Sequence, residues 1–265
     1  MPHEPLVAAI MLTKDRPAMA ARAVRAFRAQ TYPNKRVLVV DSGPSGPFFE
    51  ETEDLREPCF VGIDTLSIGA LRNHAAKYLR AYYTHREDLP EIFVHFDDDD
   101  YSHPNRIAEQ VAHLQASGAD VVGYNELLFW RTRIMIDDRS MPDGYGEAWL
   151  YKHRTNAPGT SLCYWRKTWE RKPFPDLPKP SRGDGEDWHW LKGLNVATVP
   201  CFRAMDGAQL AGEPKEDIEC EPRLIASIHG GNTQSYDLEG IIERGSQEWR
   251  RVPEWDDYAR KAMAL

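Results

Sequence analysis

The sequence has no long apolar run. No uninterrupted apolar segment approaches the roughly 20 residues that a membrane-spanning helix needs. The apolar stretch near the start, PLVAAIML (5–12), stops at Thr13-Lys14-Asp15, with no basic region before it and no small-residue cleavage site after it. We therefore interpret this stretch as a first strand rather than a signal peptide, and we expect no membrane span.

Cysteine is scarce. The 265 residues contain four cysteines, and none forms a C-x-x-C pair. They are Cys59, Cys163, Cys201 and Cys220. Without close spacing or an export signal, free buried thiols in a reducing cytosol are favoured over a disulfide framework or a structural zinc site. The sequence therefore predicts a cytoplasmic protein.

Positive charge is in the minority. Lys and Arg number 33 against 41 Asp and Glu, which gives a formal net charge of −8. Such a chain does not attract phosphate backbones through its overall field, which disfavours a general nucleic-acid coat protein but leaves a local basic groove open. The remaining composition, with 42% hydrophobic and 28% charged residues, is that of a globular protein.

The first half of the chain alternates strand-like and helix-like segments. The strand-like segments are 5–12, 35–41, 59–63, 91–96 and 119–125, and the helix-like segments are 17–30, 68–83 and a stretch that opens at Pro104. This alternation predicts an α/β fold with a mostly parallel central sheet and helices on both faces.

The second half predicts a smaller mixed β region. Its strand-like segments are 126–136, 147–154, 160–165, 196–200 and 224–230; residues 173–185 form a Pro/Gly-rich loop, a short helix starts at 185 or 186, residues 203–222 form a polar loop or flap, and the tail 236–265 is helical. We expect one compact domain over 1–235, with halves at 1–125 and 126–235, followed by that tail.

Four adjacent carboxylates follow the strand at 91–96. They are Asp97, Asp98, Asp99 and Asp100. Ligands of open α/β sheets bind at the carboxyl ends of strands. Adjacent carboxylates repel one another unless water or a cation neutralises them, and Mg²⁺ and Mn²⁺ prefer such oxygen ligands. The run therefore indicates a divalent-cation site; the alternative is a solvated acidic turn that caps the next helix.

The ends of the first two strands carry further candidates. Asp41 ends the strand at 35–41 and can accept hydrogen bonds from a nucleobase or ribose, although a turn-forming aspartate is the alternative. Thr13 and Arg16 follow the first strand and offer a hydroxyl and a guanidinium on the same edge, or serve only as helix-entry residues.

Two later segments add further candidates, Arg72-Asn73 and His229. Arg72-Asn73 lies off the apolar face of the helix at 68–83, where Arg72 can reach a phosphate or the carboxylates or remain solvated. His229 ends a buried strand and can complete a metal site, or serve as a hydrogen-bonded histidine at a strand end.

Glu186 and Asp187 begin a short helix beside Trp188. Two carboxylates placed there, after a flexible loop, can present a general base to a sugar-sized ligand. The alternative is that they only complement the helix dipole.

Taken in chain order, these residues resemble the family 2 glycosyltransferases of the GT-A fold, over roughly residues 5–235. The resemblance implies a GT-A-like, Rossmann-type α/β sandwich and a nucleoside-diphosphate sugar donor, with a UDP-sugar favoured. It also implies a divalent metal, Mn²⁺ or Mg²⁺, and inversion at the anomeric carbon. The acceptor would be a hydroxyl of a glycan, a small molecule or a modified nucleic-acid base.

The resemblance also implies a role for each candidate. Asp187 would be the catalytic base, supported by Glu186; Asp99 and His229 would bind metal; Trp188 would face the acceptor; and nucleotide-sugar binding would fall to Thr13, Arg16, Asp41, Arg72, Asn73, Asp97, Asp98 and Asp100. The run of four aspartates leaves the register of the Asp-x-Asp motif open by one residue.

Two rival functions belong to other classes. A nucleotidyltransferase would carry a Gly-rich phosphate loop after its first strand, whereas this chain has Thr-Lys-Asp-Arg-Pro there. A non-catalytic carbohydrate- or cation-binding module would explain the aspartates but not Glu186 and Asp187. Aromatic and basic side chains at 149–190 suit a phosphorylated or nucleic-acid acceptor, with core packing and a solvated face as the alternatives.

Overall fold

A computed structural model describes most of the chain. The described residues are 3–43, 66–83, 89–132, 146–152, 156–177, 185–204, 220–228 and 248–264. The predicted strand at 59–63 lies outside these ranges.

The described strands and helices are as follows. The strands are β1 (Val7–Thr13), β2 (Lys35–Asp41), β3 (Ile92–His95), β4 (Tyr101–Ser102), β5 (Val121–Tyr124), β6 (Glu126–Thr132), β7 (Gly146–Lys152), β8 (Cys163–Trp165), β9 (Val196–Val199), β10 (Phe202–Ala204), β11 (Cys220–Pro222), β12 (Leu224–Ile228) and β13 (Trp249–Arg251). The helices are α1 (Pro17–Arg28), α2 (Ile68–Tyr82), α3 (Arg106–Ser117), α4 (Arg166–Arg171), α5 (Glu186–Leu191) and α6 (Asp256–Met263), with 3-10 turns at Gly159–Ser161 and Pro253–Trp255.

A six-stranded sheet forms the centre, in the order β2-β1-β3-β8-β5-β9. The β1–β2, β1–β3 and β5–β9 pairs are parallel, whereas β8 runs antiparallel to both β3 and β5. Thr13 lies opposite Asp41 at the carboxyl ends of β1 and β2, and β3 ends in the same direction. The predicted α/β fold class is confirmed, and its carboxyl edge gathers the candidate residues.

Helices cover both faces of this sheet. Successive side chains of β1 point to opposite faces, so each face has apolar side chains that a helix can bury. Val7, Ala9 and Met11 pack in one cluster with apolar side chains of α1 and α3. Ala8 and Ile10 pack in another cluster with side chains of α2 and α5. Each helix contributes an apolar stripe at 3–4 spacing, as in α3, where Ile107, Val111 and Leu114 are buried.

The second sheet is the mixed β region, in the order β13-β7-β6-β12-β4. Its core cluster includes Ala259, Ala262 and Met263 of α6. The prediction of a purely helical tail at 236–265 is wrong for part of it, because β13 pairs antiparallel with β7. Burial of Trp249 beside exposed Arg250 gives the period of two that a strand requires.

The polar segment 203–222, predicted as a loop or flap, has strands at both of its described ends, and residues 205–219 lie outside the described ranges. Its described ends, β10 and β11, pair as a two-stranded antiparallel ribbon with Phe202 opposite Pro222. The predicted strand at 160–165 begins as the Gly159–Ser161 turn and becomes a strand only at Cys163. That turn proves important at the site.

Two further expectations concern cysteines and membranes. Cys163 and Cys201 are buried free thiols and Cys220 is a partly buried one, while Cys59 lies outside the described residues. In the part of the chain that the structure describes, no helix has both the length and the apolar character to cross a bilayer.

Candidate active site

The carboxyl ends of β1 and β2 form one wall of the site. Asp41 Oδ1 accepts hydrogen bonds from the backbone amides of Asp15, at 3.2 Å, and of Gly43, at 2.9 Å. The Asp15 backbone has a φ of 50°, in the left-handed region that aspartate tolerates better than most residues. The buried Asp41 therefore stabilises this turn, and its contact with a nucleoside remains a prediction.

The acidic turn (residues 97–100) follows β3. Two of its four carboxylates, those of Asp98 and Asp100, are bound by donors of the protein itself. Asp98 accepts from Thr13 Oγ1 at 2.6 Å and from Arg16 Nη2 at 2.7 Å, and its side chain is 1% exposed. Asp100 accepts from the Ser227 amide at 2.9 Å and from the Thr160 hydroxyl. Both side chains point into the protein and bind its own donors.

The other two carboxylates of the acidic turn reach solvent. The side chains of Asp97 and Asp99 are 26% and 11% exposed. Arg16 Nη1 lies 3.1 Å from Asp99 Oδ2, so Arg16 holds Asp99 as well as Asp98. Thr13 and Arg16 therefore lie against the acidic turn, and Asp97 and Asp99 are the less deeply buried pair of its four carboxylates. This geometry favours the Asp97-x-Asp99 register.

Burial and mutual repulsion raise the pKa values of three of the carboxyl groups in the acidic turn. Burial, together with the charge of Asp99, raises the pKa of Asp98 to about 7, although Arg16 and Thr13 oppose the change. Burial also raises the pKa of Asp97 against the effect of Arg72, and raises the pKa of Asp100 well above its usual value. An additional positive charge at this edge would therefore be favourable.

Arg72 connects the acidic turn to helix α5. Its Nε lies 3.3 Å from Glu186 Oε1, and its Nη2 lies 3.8 Å from Asp97 Oδ1. Burial opposes the charged form of Arg72, but the two carboxylates outweigh it and raise the pKa of the guanidinium. Its Nη1 is buried and has no hydrogen-bond partner among the described residues. The two carboxylate groups that the sequence singled out therefore lie on the same edge.

Asn73, the neighbour of Arg72, binds protein groups instead of facing the acidic turn. Its Oδ1 accepts from Trp169 Nε1 at 2.8 Å and from the Phe174 amide at 2.9 Å. Its Nδ2 donates to the Phe174 carbonyl at 2.8 Å. Asn73 thus anchors the segment before α5, and its contact with the donor stays a prediction.

Asp187 lies against the Gly159–Ser161 turn. Its Oδ1 accepts from the Trp188 amide at 2.8 Å, and a Cβ added to Gly159 would lie 2.5 Å from its Oδ2. The Gly159 carbonyl accepts from His95 Nδ1 at 2.6 Å, and the next residue in the turn is Thr160, which binds Asp100. Two consecutive residues of this turn therefore contact the two acidic groups: Gly159 lies against Asp187, and Thr160 binds Asp100 of the acidic turn.

Trp188 and the other aromatic candidates divide by burial. Trp188 is partly exposed, with Lys192 Nζ 5.5 Å above its ring. Trp169 and Trp190 are core residues, and Trp149 is buried beneath the Arg131 guanidinium. Trp188 directly follows the acidic pair on α5, and the partly exposed Tyr151 also lies near Asp187, whose charge, in addition to burial, contributes to raising the pKa of Tyr151.

Arg166 and Arg171 of α4, which belong to the basic side chains at 149–190, lie at the opposite edge of the sheet from the acidic turn. Trp165 pairs with Ile92 at the beginning of β3, and the Arg166 amide donates to the Glu91 carbonyl at 2.7 Å. Arg171 Nη2 lies 2.8 Å from Asp120 Oδ1, just before β5. This position agrees with the alternative that these residues form a solvated face.

Arg106 is a site-supporting residue that sequence reasoning missed. It is fully buried and donates to the Ser102 hydroxyl at 2.7 Å and to the carbonyls of His95 and Thr160, both at 2.8 Å. It thereby joins β3, β4 and the Gly159–Ser161 turn. Its place on the buried stripe of α3, next to Ile107, was the signal that could have identified it.

The residues present fit a divalent cation that takes part of its coordination from substrate. Among the described residues no three His, Cys, Asp or Glu side chains form a metal-binding group, and His229 lies outside them. However, Mg²⁺ is usually held by one or two carboxylates together with substrate phosphates. Asp97 and Asp99 supply the hard oxygen atoms for that arrangement.

Comparison with known proteins identifies the fold. Residues 8–127 match the family model described as glycosyl transferase family 2. The structure is similar to S. aureus TarS 1-349 in complex with UDP-GlcNAc, with a TM-score of 0.50, 14% identity and coverage of 86% of this chain and 60% of that one. It is also similar to a second structure of S. aureus TarS, with a TM-score of 0.51, 13% identity and coverage of 84% and 37%.

The chain spans 60% and 37% of the lengths of these two structures. No curated protein sequence matches the chain. The chain therefore has the fold of the GT-A glycosyltransferases, and the match of residues 8–127 to glycosyltransferase family 2 confirms the resemblance that the sequence motifs indicated.

Proposed function

We propose that this protein is a metal-dependent, inverting glycosyltransferase. It would move a sugar from a nucleoside-diphosphate sugar, with a UDP-sugar favoured, to a hydroxyl acceptor. The observation that carries the proposal is the position of Arg72, whose guanidinium contacts both Asp97 and Glu186. The family match and the fold support it, as does the UDP-GlcNAc bound to S. aureus TarS.

The donor would bind across the acidic turn. Asp97 and Asp99 would hold the divalent cation, which when bound offsets the negative charge of the departing diphosphate. The unpartnered Nη1 of Arg72 can donate to an oxygen of the diphosphate or of the sugar. Asp41 and Thr13 mark the strand ends where the nucleoside would lie, as in other open α/β sheets.

Asp187 would accept the proton of the acceptor hydroxyl. Its Oδ1 is fixed by the Trp188 amide, which orients the carboxylate before the acceptor arrives. The hydroxyl oxygen forms its bond to the anomeric carbon on the face opposite the departing diphosphate, whose bond to that carbon breaks, so the configuration inverts. As in other glycosyl transfers, the carbon passes through an oxocarbenium-like state.

Glu186 would support this base without replacing it. Its carboxylate accepts from Arg72 Nε, and burial raises its pKa although Arg72 opposes that change. It therefore stays beside the donor-binding guanidinium while Asp187, the next residue, faces the Gly159–Ser161 turn. Trp188 would contact the acceptor through its partly exposed ring.

The test is incubation of the purified protein with a panel of nucleotide sugars, with Mn²⁺, with Mg²⁺ and with a chelator. Release of free nucleoside diphosphate that requires a divalent cation is the expected result, and water can serve as a slow acceptor. Release of pyrophosphate would instead identify a nucleotidyltransferase. Absence of any product, together with tight binding of a sugar or cation, would identify a non-catalytic module.

A further inference from the structure

We propose that Arg22 and helix α6 form a positioning device for the acidic turn, so that the last described helix of the chain controls the affinity of the donor site. The inference rests on the proposed function, because it concerns the same turn. Arg22 would be a positioning residue, since its contacts are to the backbone of the turn and of α6.

Arg22 bridges two segments that are far apart in sequence. Its Nη2 donates to the backbone carbonyl of Asp99 at 2.8 Å, and its Nη1 donates to the backbone carbonyl of Met263 at 2.7 Å. The planar guanidinium fork suits this double contact, whereas a lysine ammonium would act as a point charge. A charged donor at the last turn of α6 also interacts favourably with the helix dipole.

Asp99 is thereby held by two arginines of the same helix region. Arg16, which immediately precedes α1, contacts the carboxylate of Asp99, and Arg22 within α1 contacts its carbonyl. Fixing both the backbone and the side chain restricts the directions in which Asp99 can present an oxygen atom. A cation held by few protein ligands depends strongly on such restriction.

Helix α6 is itself firmly attached to the second sheet. Asp256 accepts from the Ala148 amide at 2.8 Å and pairs with Arg251, while Ala259 and Ala262 are buried in the core. Tyr101, which directly follows the acidic turn, and Tyr258 of α6 pack against this same core cluster. Helix α6 is therefore connected to this turn through Arg22 and shares a core cluster with Tyr101.

The experiment compares UDP binding with and without Mn²⁺, by titration calorimetry, for Arg22→Ala, Arg22→Lys and Arg25→Ala. Arg25 is exposed on the same helix and serves as the matched control. Loss of a charged hydrogen bond on each carbonyl should weaken Mn²⁺-dependent UDP binding about tenfold in Arg22→Ala. Binding without Mn²⁺ should change much less, Arg22→Lys should be intermediate, and Arg25→Ala should match the original protein.

A general structural role for Arg22 would give a different result. It would lower the melting temperature and weaken UDP binding equally with and without Mn²⁺, and this would overturn the inference. So would unchanged Mn²⁺-dependent binding in folded Arg22→Ala. If that variant does not fold, Arg22→Lys decides: it should weaken Mn²⁺-dependent binding several-fold, and unchanged binding overturns the proposal.

The proposed function fails separately. If the original protein shows no Mn²⁺-dependent binding of UDP or of any other nucleoside diphosphate, the donor site itself is refuted and the inference is overturned with it. If the original protein binds and the Arg22 variants bind as it does, the proposed function stands and the positioning role alone is refuted.

Discussion

Gly159 and Asp187 lie so close together that the glycine has no room for a side chain. A Cβ built on Gly159 would approach Asp187 Oδ2 to 2.5 Å and Asp187 Cγ to 3.0 Å. A Cβ atom does not approach a non-bonded oxygen atom to 2.5 Å in real proteins. The backbone of this turn therefore forms one boundary of the space that the proposed base occupies.

Replacement of Gly159 by alanine should move the base without removing it. We expect the Gly159→Ala variant to bind UDP and Mn²⁺ like the original protein and to lose about tenfold or more in kcat, because small displacements of a catalytic group cost that much. The measurement is steady-state transfer combined with calorimetry. An unchanged kcat would contradict the placement of Asp187 in the reaction.

Gly118→Ala provides the matched control for the loss of a glycine. A Cβ there meets nothing within 4 Å, but the backbone φ is +64°, in the left-handed region. We expect that variant to lose about 1 kcal/mol of unfolding free energy with no change in kcat. The two glycine variants should thus affect different properties.

Asp187→Asn tests the base directly. The amide keeps the shape of the side chain but cannot accept the proton, so we expect transfer to fall by ~10²–10⁴ while donor affinity stays nearly constant. Glu170→Gln on α4, at the opposite edge of the sheet, is the control and should keep full activity. A loss of donor affinity as large as the loss of rate would count against the assignment.

Removal of Arg72 should leave two carboxylates without their shared cation. We expect Arg72→Met to lower the unfolding free energy by about 2 kcal/mol, less than for a fully buried pair because Asp97 is partly exposed. Adding Glu186→Gln should restore part of that loss, since one of the stranded charges disappears. Urea denaturation of both single variants and the double variant measures the coupling, and strictly additive effects would refute it.

The buried imidazole of His95 should make the unfolding free energy depend on pH. Burial and the charge of Arg72 lower the pKa of His95 well below its usual 6.5, and its Nδ1 donates to the Gly159 carbonyl. Above pH 6.5 the imidazole is neutral in both folded and unfolded chains and contributes no pH dependence. As pH falls below 6.5 the unfolded chain gains a proton that the folded protein excludes, so the unfolding free energy should fall.

His95→Asn isolates this contribution. Asparagine can keep the donor to Gly159 but does not titrate, so the difference in unfolding free energy between pH 7.5 and pH 5 should be smaller in the variant than in the original protein. Urea denaturation at the two pH values measures it. Equal pH dependence in both proteins would show that His95 is not the group responsible.

Much of the site could be predicted because it depends on local pattern and on sheet geometry. Buried apolar runs predicted β1, β2 and β3, and parallel strands have their carboxyl ends on the same edge of the sheet. Thr13 and the acidic turn therefore had to meet there, and they do, with Thr13 bound to Asp98. The family motif added Glu186, which indeed lies beside Arg72.

Other features depend on contacts between distant segments, which no short window of sequence contains. The sequence left the register of the four aspartates open by one residue, whereas the structure separates them because Ser227 and Thr160 bind Asp100 from other parts of the chain. The contacts of the Asn73 amide with Trp169 and Phe174, about 100 residues later in the chain, could likewise not be predicted. Strand β13 likewise forms only against β7.

The placement of β8 has a consequence for protein engineering. This strand comes from the later part of the sequence but lies between β3 and β5, which come from the earlier part. A fragment ending near residue 125 would consequently lack the central member of its own sheet, and a transplanted later half would leave that gap in its new host. Changes of acceptor preference are therefore better sought by exchanging surface segments within the intact chain than by recombining its two portions.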